Sequence, residues 1–262
     1  MPFFSPQMFG DQVVGVALTL PRIAAAFLML PLLTGENMPA LVRNSFFVSL
    51  ALVVFPLAAA AAPMSTGLHS PWLLVVVKEI FIGIAIGFSF GSVFWAIGSA
   101  GNFIDAKVGS TIASVVDPLA GHQTSLTGAF LSQLAAWLFM TSGAFIVFLD
   151  LLLSSYAIWP VGAFLPHLKA PAADFFIGQF SYQMTMALLL AAPALVVMSL
   201  VDISLGLVNR YAQQLNVFTL AMPIKAWLST WIVLLMLGVF LEVVLRKLFE
   251  NKTLLTTLRA LF

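Results

Sequence analysis

Side chains able to do covalent or acid–base chemistry are few in this chain of 262 residues. His69, His122 and His167 lie far apart in stretches that read as loops and show no HExxH spacing, so they predict no zinc site. Cysteine is absent, which removes thiolate nucleophiles, disulfides and Cys-ligated zinc or iron–sulfur clusters. Gly98-Ser99-Ala100-Gly101 is one residue short of the G-x-S-x-G nucleophile elbow and has no placed base. Asp150 and Asp202 could act as a membrane aspartyl pair only if they met and shared a proton, since like charges in contact cannot both ionise. Polar contacts at helix ends or between helices are the simpler reading. No GxGD sequence and no GxxxxGK[ST] phosphate loop occurs, which argues against intramembrane proteolysis and nucleotide hydrolysis. The expectation is a non-enzyme with no metal and no cofactor.

Two polar clusters remain. Gly98, Gly101, Asn102, Asp105 and Gly109 fall at helical spacing on one face, with Ile97, Ile104 and Val108 opposite. A helix of that kind can line a wet cavity, and the run ends in turn formers from Val116-Asp117-Pro118 to Ser125. An exposed connecting loop is the alternative. Asp105 and Lys107 are two residues apart, point in different directions on a helix, and each needs solvent or another partner. The second cluster runs from Asn209 through Gln214, Asn216 and Phe218, and is followed by Pro223 and Lys225 inside an apolar block. By itself it reads as a polar connection with a lysine that reaches for the interface.

The elements that must position these residues are set by composition. Hydrophobic residues make up 61% and charged residues 8%, far below the charge content of a water-soluble domain, so the chain belongs in a membrane. A formal charge of +1 gives no field for nucleic acid. Six hydrophobic blocks are legible: Val13 to Leu33, Ser45 to Ala62, Trp72 to Gly98, Leu126 to Leu153, Tyr182 to Leu205 and Val217 to Leu245. None alternates with the period of a barrel strand, so the fold class is all-α, a polytopic membrane protein of about six helical segments. Met1 to Asp11 carry no basic residue, and no signal peptide is expected.

Several blocks are poor simple spans. Pro21 and Arg22 interrupt the first, Lys78 and Glu79 sit in the third, and Pro193, Pro223 and Lys225 fall within the last two. A charge at the bilayer centre costs about 2.5 to 3.5 kcal/mol on insertion scales, so these groups should face protein or water. Arg246, Lys247, Lys252 and Arg259 suggest a cytoplasmic C-terminus, yet Arg43, Lys107 and Arg210 would then fall in outside loops. Gly83, Gly87 and Gly91 repeat at one turn of helix and permit close approach of another helix, within this chain or on another subunit. No repeat or linker divides the sequence, and residues 1–262 are expected to form one domain.

Read together, several segments resemble a known family. Asp117-Pro118-Leu119-Ala120-Gly121-His122-Gln123-Thr124-Ser125, Phe148-Leu149-Asp150, Ser154-Ser155-Tyr156-Ala157-Ile158-Trp159-Pro160-Val161, Gln214-Leu215-Asn216-Val217-Phe218 and Met222-Pro223-Ile224-Lys225 occur in the order seen in the SctT/FliR/SpaR family of bacterial type III secretion export apparatus. The resemblance spans essentially the whole chain and is stronger to the injectisome (SctT) branch than to the flagellar (FliR) branch. Gln213 departs from it, since the family often has proline before the glutamine of QLNVF.

The resemblance implies a structural, pore-forming subunit of the bacterial inner membrane. It would assemble with SctR-like and SctS-like subunits into a helical export gate, with an SctU-like autoprotease nearby. Unfolded effector and needle proteins would pass through, driven by ATPase and proton-motive force supplied elsewhere. On that reading Gly98, Gly101, Asn102, Phe103, Asp105, Lys107, Val108, Gly109, Asp117 and Pro118 are candidates for the pore or its plug. Gly83, Gly87, Gly91, Gln214, Asn216, Phe218, Pro223 and Lys225 are candidates for subunit contacts. The alternatives are a flagellar FliR-type subunit and a small ion-coupled transporter with Asp105, Asp150 or Asp202 as proton site. A transporter should show corresponding broken helices in its two halves, and no such correspondence is visible.

Overall fold

The computed structural model describes residues 6–31, 38–61, 72–109, 125–162, 171–212 and 217–250, and among these every regular element is an α-helix. Their order is α1 (Pro6–Leu28), α2 (Ala40–Ala61), α3 (Trp72–Val108), α4 (Leu126–Thr141), α5 (Ala144–Ile158), α6 (Pro171–Tyr211) and α7 (Val217–Glu250). An apolar chain in lipid must satisfy its backbone groups internally, and helices do so within each segment. By length and composition α2, α3, α6 and α7 can each cross a membrane, and α4 with α5 can make a fifth, broken span.

The helical blocks read from the sequence are present; Tyr182 to Leu205 is part of a longer helix, Pro171–Tyr211, and two other blocks differ. Leu126 to Leu153 is two helices, not one. Gly143 between them has φ +80°, a left-handed conformation that glycine adopts without a Cβ clash, and its carbonyl accepts from the amides of Ile146 and Val147 to start α5. In the third block the helix does not stop at Gly98 but continues to Val108. Pro21, Pro56, Pro193 and Pro223 lie inside α1, α2, α6 and α7 without ending them.

The chain divides into two compact units. The first comprises residues 1–91, 142–177 and 248–262, the second residues 92–141 and 178–247, so α3 contributes to both. In the first unit α1 packs on α2, and α2 on α5. Phe27 of α1 is buried among Phe46 and Phe47 of α2 and Phe145 and Phe148 of α5, with ring centroids 5.1 to 6.4 Å apart. Phe90 of α3 joins this cluster edge-on to Phe148 at 5.3 Å. Edge-to-face pairs of this kind add to the area that each ring buries.

Helix α3 presents a glycine face to α1. A Cβ built on Gly83, Gly87 or Gly91 would overlap the carbonyl oxygen of Arg22, Ala26 or Met29 respectively. In the second unit the same device joins α3 to α4. A Cβ at Gly101 would strike the backbone of Gly128, and one at Gly98 would come within 2.8 Å of Ser132 Oγ. Phe94 and Phe139 close this contact edge-to-face at 5.4 Å. Helices α6 and α7 meet at both ends of their shared length: Lys247 Nζ lies 4.2 Å from the Tyr182 ring centroid, and Lys225 Nζ lies 3.0 Å from Asp202 Oδ1.

Candidate functional site

The C-terminal end of α3 is where the pore candidates lie, and it is built by polar contacts within the second unit. Gly109 adopts φ +111° and donates its amide to the Asp105 carbonyl at 3.2 Å, closing the helix. The Asp105 carboxylate accepts from Ser125 Oγ at 2.7 Å, from the Thr127 amide at 2.9 Å and from Thr127 Oγ1 at 2.6 Å. Ser125 Oγ in turn accepts from the Gly128 amide at 2.8 Å. Ser125 is thus the N-cap of α4, and Asp105 sets a negative charge against the same helix start.

Gly98, Gly101 and Asp105 therefore face α4, which fills the side that their small, polar character would offer to water. Asn102, Phe103 and Ala106 remain exposed, whereas Lys107, Val108 and Gly109 are half-buried. Lys107 does not pair with Asp105. Its Nζ lies 2.9 Å from Asp202 Oδ2 on α6, and Lys225 Nζ donates both to Asp202 and, at 3.1 Å, to the Lys107 carbonyl. One carboxylate thus ties the end of α3 to α6 and α7, while Lys225 takes up a carbonyl that the terminus of α3 leaves open. Asp202 is committed to two lysines and Asp150 is exposed on α5, an arrangement unlike a proton-sharing aspartyl pair.

The subunit-contact candidates divide. Gly83, Gly87 and Gly91 are placed against α1 of the same chain. Pro223 is exposed on α7, and Lys225 is held as above. Gln214, Asn216, Asp117 and Pro118, together with all three histidines, lie outside the described residues, as does the side chain of Phe218.

The first unit contains a buried ionic cluster. Arg22 of α1 and Glu79 of α3 have fully buried side chains and form a bidentate pair, Nε to Oε2 at 2.6 Å and the second guanidinium nitrogen to Oε1 at 2.9 Å. Arg22 also donates to Ser155 Oγ at 3.0 Å and to the Trp159 carbonyl at 2.8 Å, and it stacks over the Tyr156 ring at 4.0 Å. Lys78 Nζ reaches Glu79 Oε1 at 2.9 Å and the carbonyls of Pro160 and Val161 at 3.0 and 2.9 Å. The Tyr156 hydroxyl donates to the Thr19 carbonyl at 2.8 Å. Two cations thus share one carboxylate, and the backbone oxygens that follow the C-terminus of α5 supply the remaining negative potential.

Sequence reasoning required these three charges to find protein or water but did not pair them. The usable signal was cost: in apolar spans, Arg22 and the Lys78-Glu79 pair are each expensive, and a carboxylate in one span is the acceptor that a cation in another needs. The same cluster accounts for the Ser155-Tyr156 and Trp159-Pro160-Val161 run, whose side chains and carbonyls are its acceptors.

A protein-family model described as bacterial export proteins, family 1, matches residues 13–251. The chain is 41% identical to the Yop proteins translocation protein T of Yersinia pestis, over 81% of this chain and 82% of that protein. It is 34% identical to the secretion system apparatus protein SsaT of Salmonella typhimurium, over 84% and 85% of the two chains. With the flagellar biosynthetic protein FliR of Bacillus subtilis the identity is 31%, over 87% and 88%.

Proposed function

Because the chain belongs to the bacterial export proteins, family 1, in the SctT/FliR/SpaR group, we propose that it is a pore-forming subunit of a type III secretion export gate. It is a multi-pass protein of the bacterial inner membrane and a subunit of secretion export apparatus. The finer reading is that it assembles with SctR-like and SctS-like subunits, lies beside an SctU-like autoprotease, and passes unfolded effector and needle polypeptide without catalysing a reaction. The observation that carries it is the match across residues 13–251. Identity to the translocation and secretion-apparatus relatives, 41% and 34%, exceeds the 31% to the flagellar one and favours the injectisome branch.

Within that reading the path-facing part of α3 is the exposed Asn102 and Ala106 side. Gly98, Gly101 and Asp105 support it from behind by holding α4. Co-expression with SctR-like and SctS-like subunits should yield one stable complex, and a chain that purifies alone in functional form overturns the assignment. Deleting Gly109 to Ser114 should raise ion leakage across the inner membrane, and a photo-crosslinker at Asn102 or Phe103 should capture a stalled secretion substrate. Normal leakage with no substrate captured would move the path to other segments or subunits.

A further inference from the structure

Asp150 stands apart from the other described carboxylates. Glu79, Asp105 and Asp202 are bonded as above, Asp174 lies in the first turn of α6, where the helix end favours a negative charge, and Glu242 and Glu250 each lie one turn from Arg246. Asp150 is exposed in the middle of α5, and no donor or cation among the described residues bonds to it. The sequence holds no Lys, Arg or His between His122 and His167, so no neighbour along the chain compensates it either.

Asp150 is also the centre of an apolar face. Ile146, Asp150, Leu153 and Ala157 follow one another at intervals of four, three and four residues, which places all of them within about 60° of arc on a helix. Ile146 is 69% exposed, Asp150 and Ala157 are exposed and Leu153 is half-buried, whereas Phe148, Leu151, Leu152, Ser155 and Tyr156 on the rest of α5 are buried. Such a face is poorly satisfied in either surrounding. In lipid the carboxylate lacks a counter-charge, and in water the apolar side chains stay uncovered. An incoming helix that brings a cation satisfies both.

We propose that this face of α5 receives an apolar helix of another subunit, with a lysine or arginine of that helix paired to Asp150. The inference rests on the reading of the chain as a subunit of an assembly, and adds the face and the charge of the partner. Spacing of four, three and four is that of a knobs-into-holes seam, Ala157 lets the incoming backbone approach closely, and a single polar group in such a seam fixes its register. Within the chain the same solution joins α1 to α3, where Arg22 of one helix pairs with Glu79 of the other. A second copy of this chain fits worse, because a two-fold contact through this face sets Asp150 against its own like charge.

The test is co-purification with SctR-like and SctS-like subunits, beside thermal unfolding of the full chain alone in detergent. Asp150→Leu should leave the midpoint of the isolated chain unchanged, because no described residue bonds to Asp150. The same variant should weaken assembly about 30-fold or more, the loss expected when one member of a buried interfacial charge pair is removed. Asp174→Asn, at an exposed carboxylate on another helix, should leave assembly unchanged. Asp150→Lys should abolish the complex, and exchange of the partner's lysine or arginine for glutamate should restore it, with a photo-crosslinker at Ile146 locating the partner helix. Wild-type assembly of Asp150→Leu, a lowered midpoint of that variant alone, failure of every charge exchange to rescue Asp150→Lys, or capture of a second copy at Ile146 would each overturn the proposal. A wild-type chain that forms no complex at all would instead overturn the subunit reading, and this inference with it.

Discussion

Glu79 is the residue on which the first unit depends most. Its carboxylate is shared by Arg22 and Lys78, all three side chains are out of water, and Glu79→Gln would leave two buried cations with only neutral acceptors. Breaking a buried pair from one side costs about 3 to 5 kcal/mol. The expected outcome is a marked fall in thermal midpoint and folded yield, read by fluorescence-detected gel filtration. Ser155→Ala removes one acceptor of Arg22 and the bond Ser155 Oγ donates to Leu152, and should cost only about 1 to 2 kcal/mol. If the two variants melt together, the ionic cluster is not what holds α1, α3 and α5. Little of this was legible in the sequence, because the partners of Lys78 and Glu79 stand 57 to 83 positions away. The same applies to Lys107: its spacing from Asp105 ruled out a local pair, but nothing in the local pattern pointed to Asp202.

At the scale of elements, the hydrophobic blocks were readable because lipid leaves helices as the only open solution for such runs. The break at Gly143 was not, since Ser142-Gly143 lies in an apolar stretch with no proline and no charge to announce it. The glycine series was readable as a close-packing face, but not its partner: small-xxx-small spacing says that a backbone approaches, never whose. Here it is α1. Gly87→Leu therefore acts first on the chain itself. Leucine is as compatible with lipid as glycine, so membrane insertion should be retained, while the Ala26 carbonyl and Met29 Cβ block the side chain. Folded protein should fall well below wild type at equal membrane content, measured by protease resistance of the inserted chain. Wild-type resistance would mean that α1 and α3 do not pack as closely as described. Gly101→Val makes the parallel case in the second unit, where the Gly128 backbone leaves no room and α4 would be displaced.

For the whole molecule, composition settled membrane residence, and the order of motifs settled the family. Neither could reveal that α3 serves two compact units, because the chain composition does not change where residue 91 gives way to residue 92. The buried cluster also has a consequence for biogenesis. Lys78 is synthesised next to Glu79 and after Arg22, but the carbonyls of Pro160 and Val161 that complete its shell come 82 and 83 residues later. At about 5 to 20 residues per second, a ribosome needs roughly 4 to 16 s to supply them. Throughout that interval the nascent chain holds Arg22 and Lys78 against a single carboxylate, a state that membrane quality control can detect. A fragment ending at Thr141 should accordingly be degraded faster in pulse-chase than one ending at Gly162, and Lys78→Met in the shorter fragment should lengthen its half-life. Equal half-lives for the two fragments would mean that the incomplete shell around Lys78 is not what proteolysis recognises.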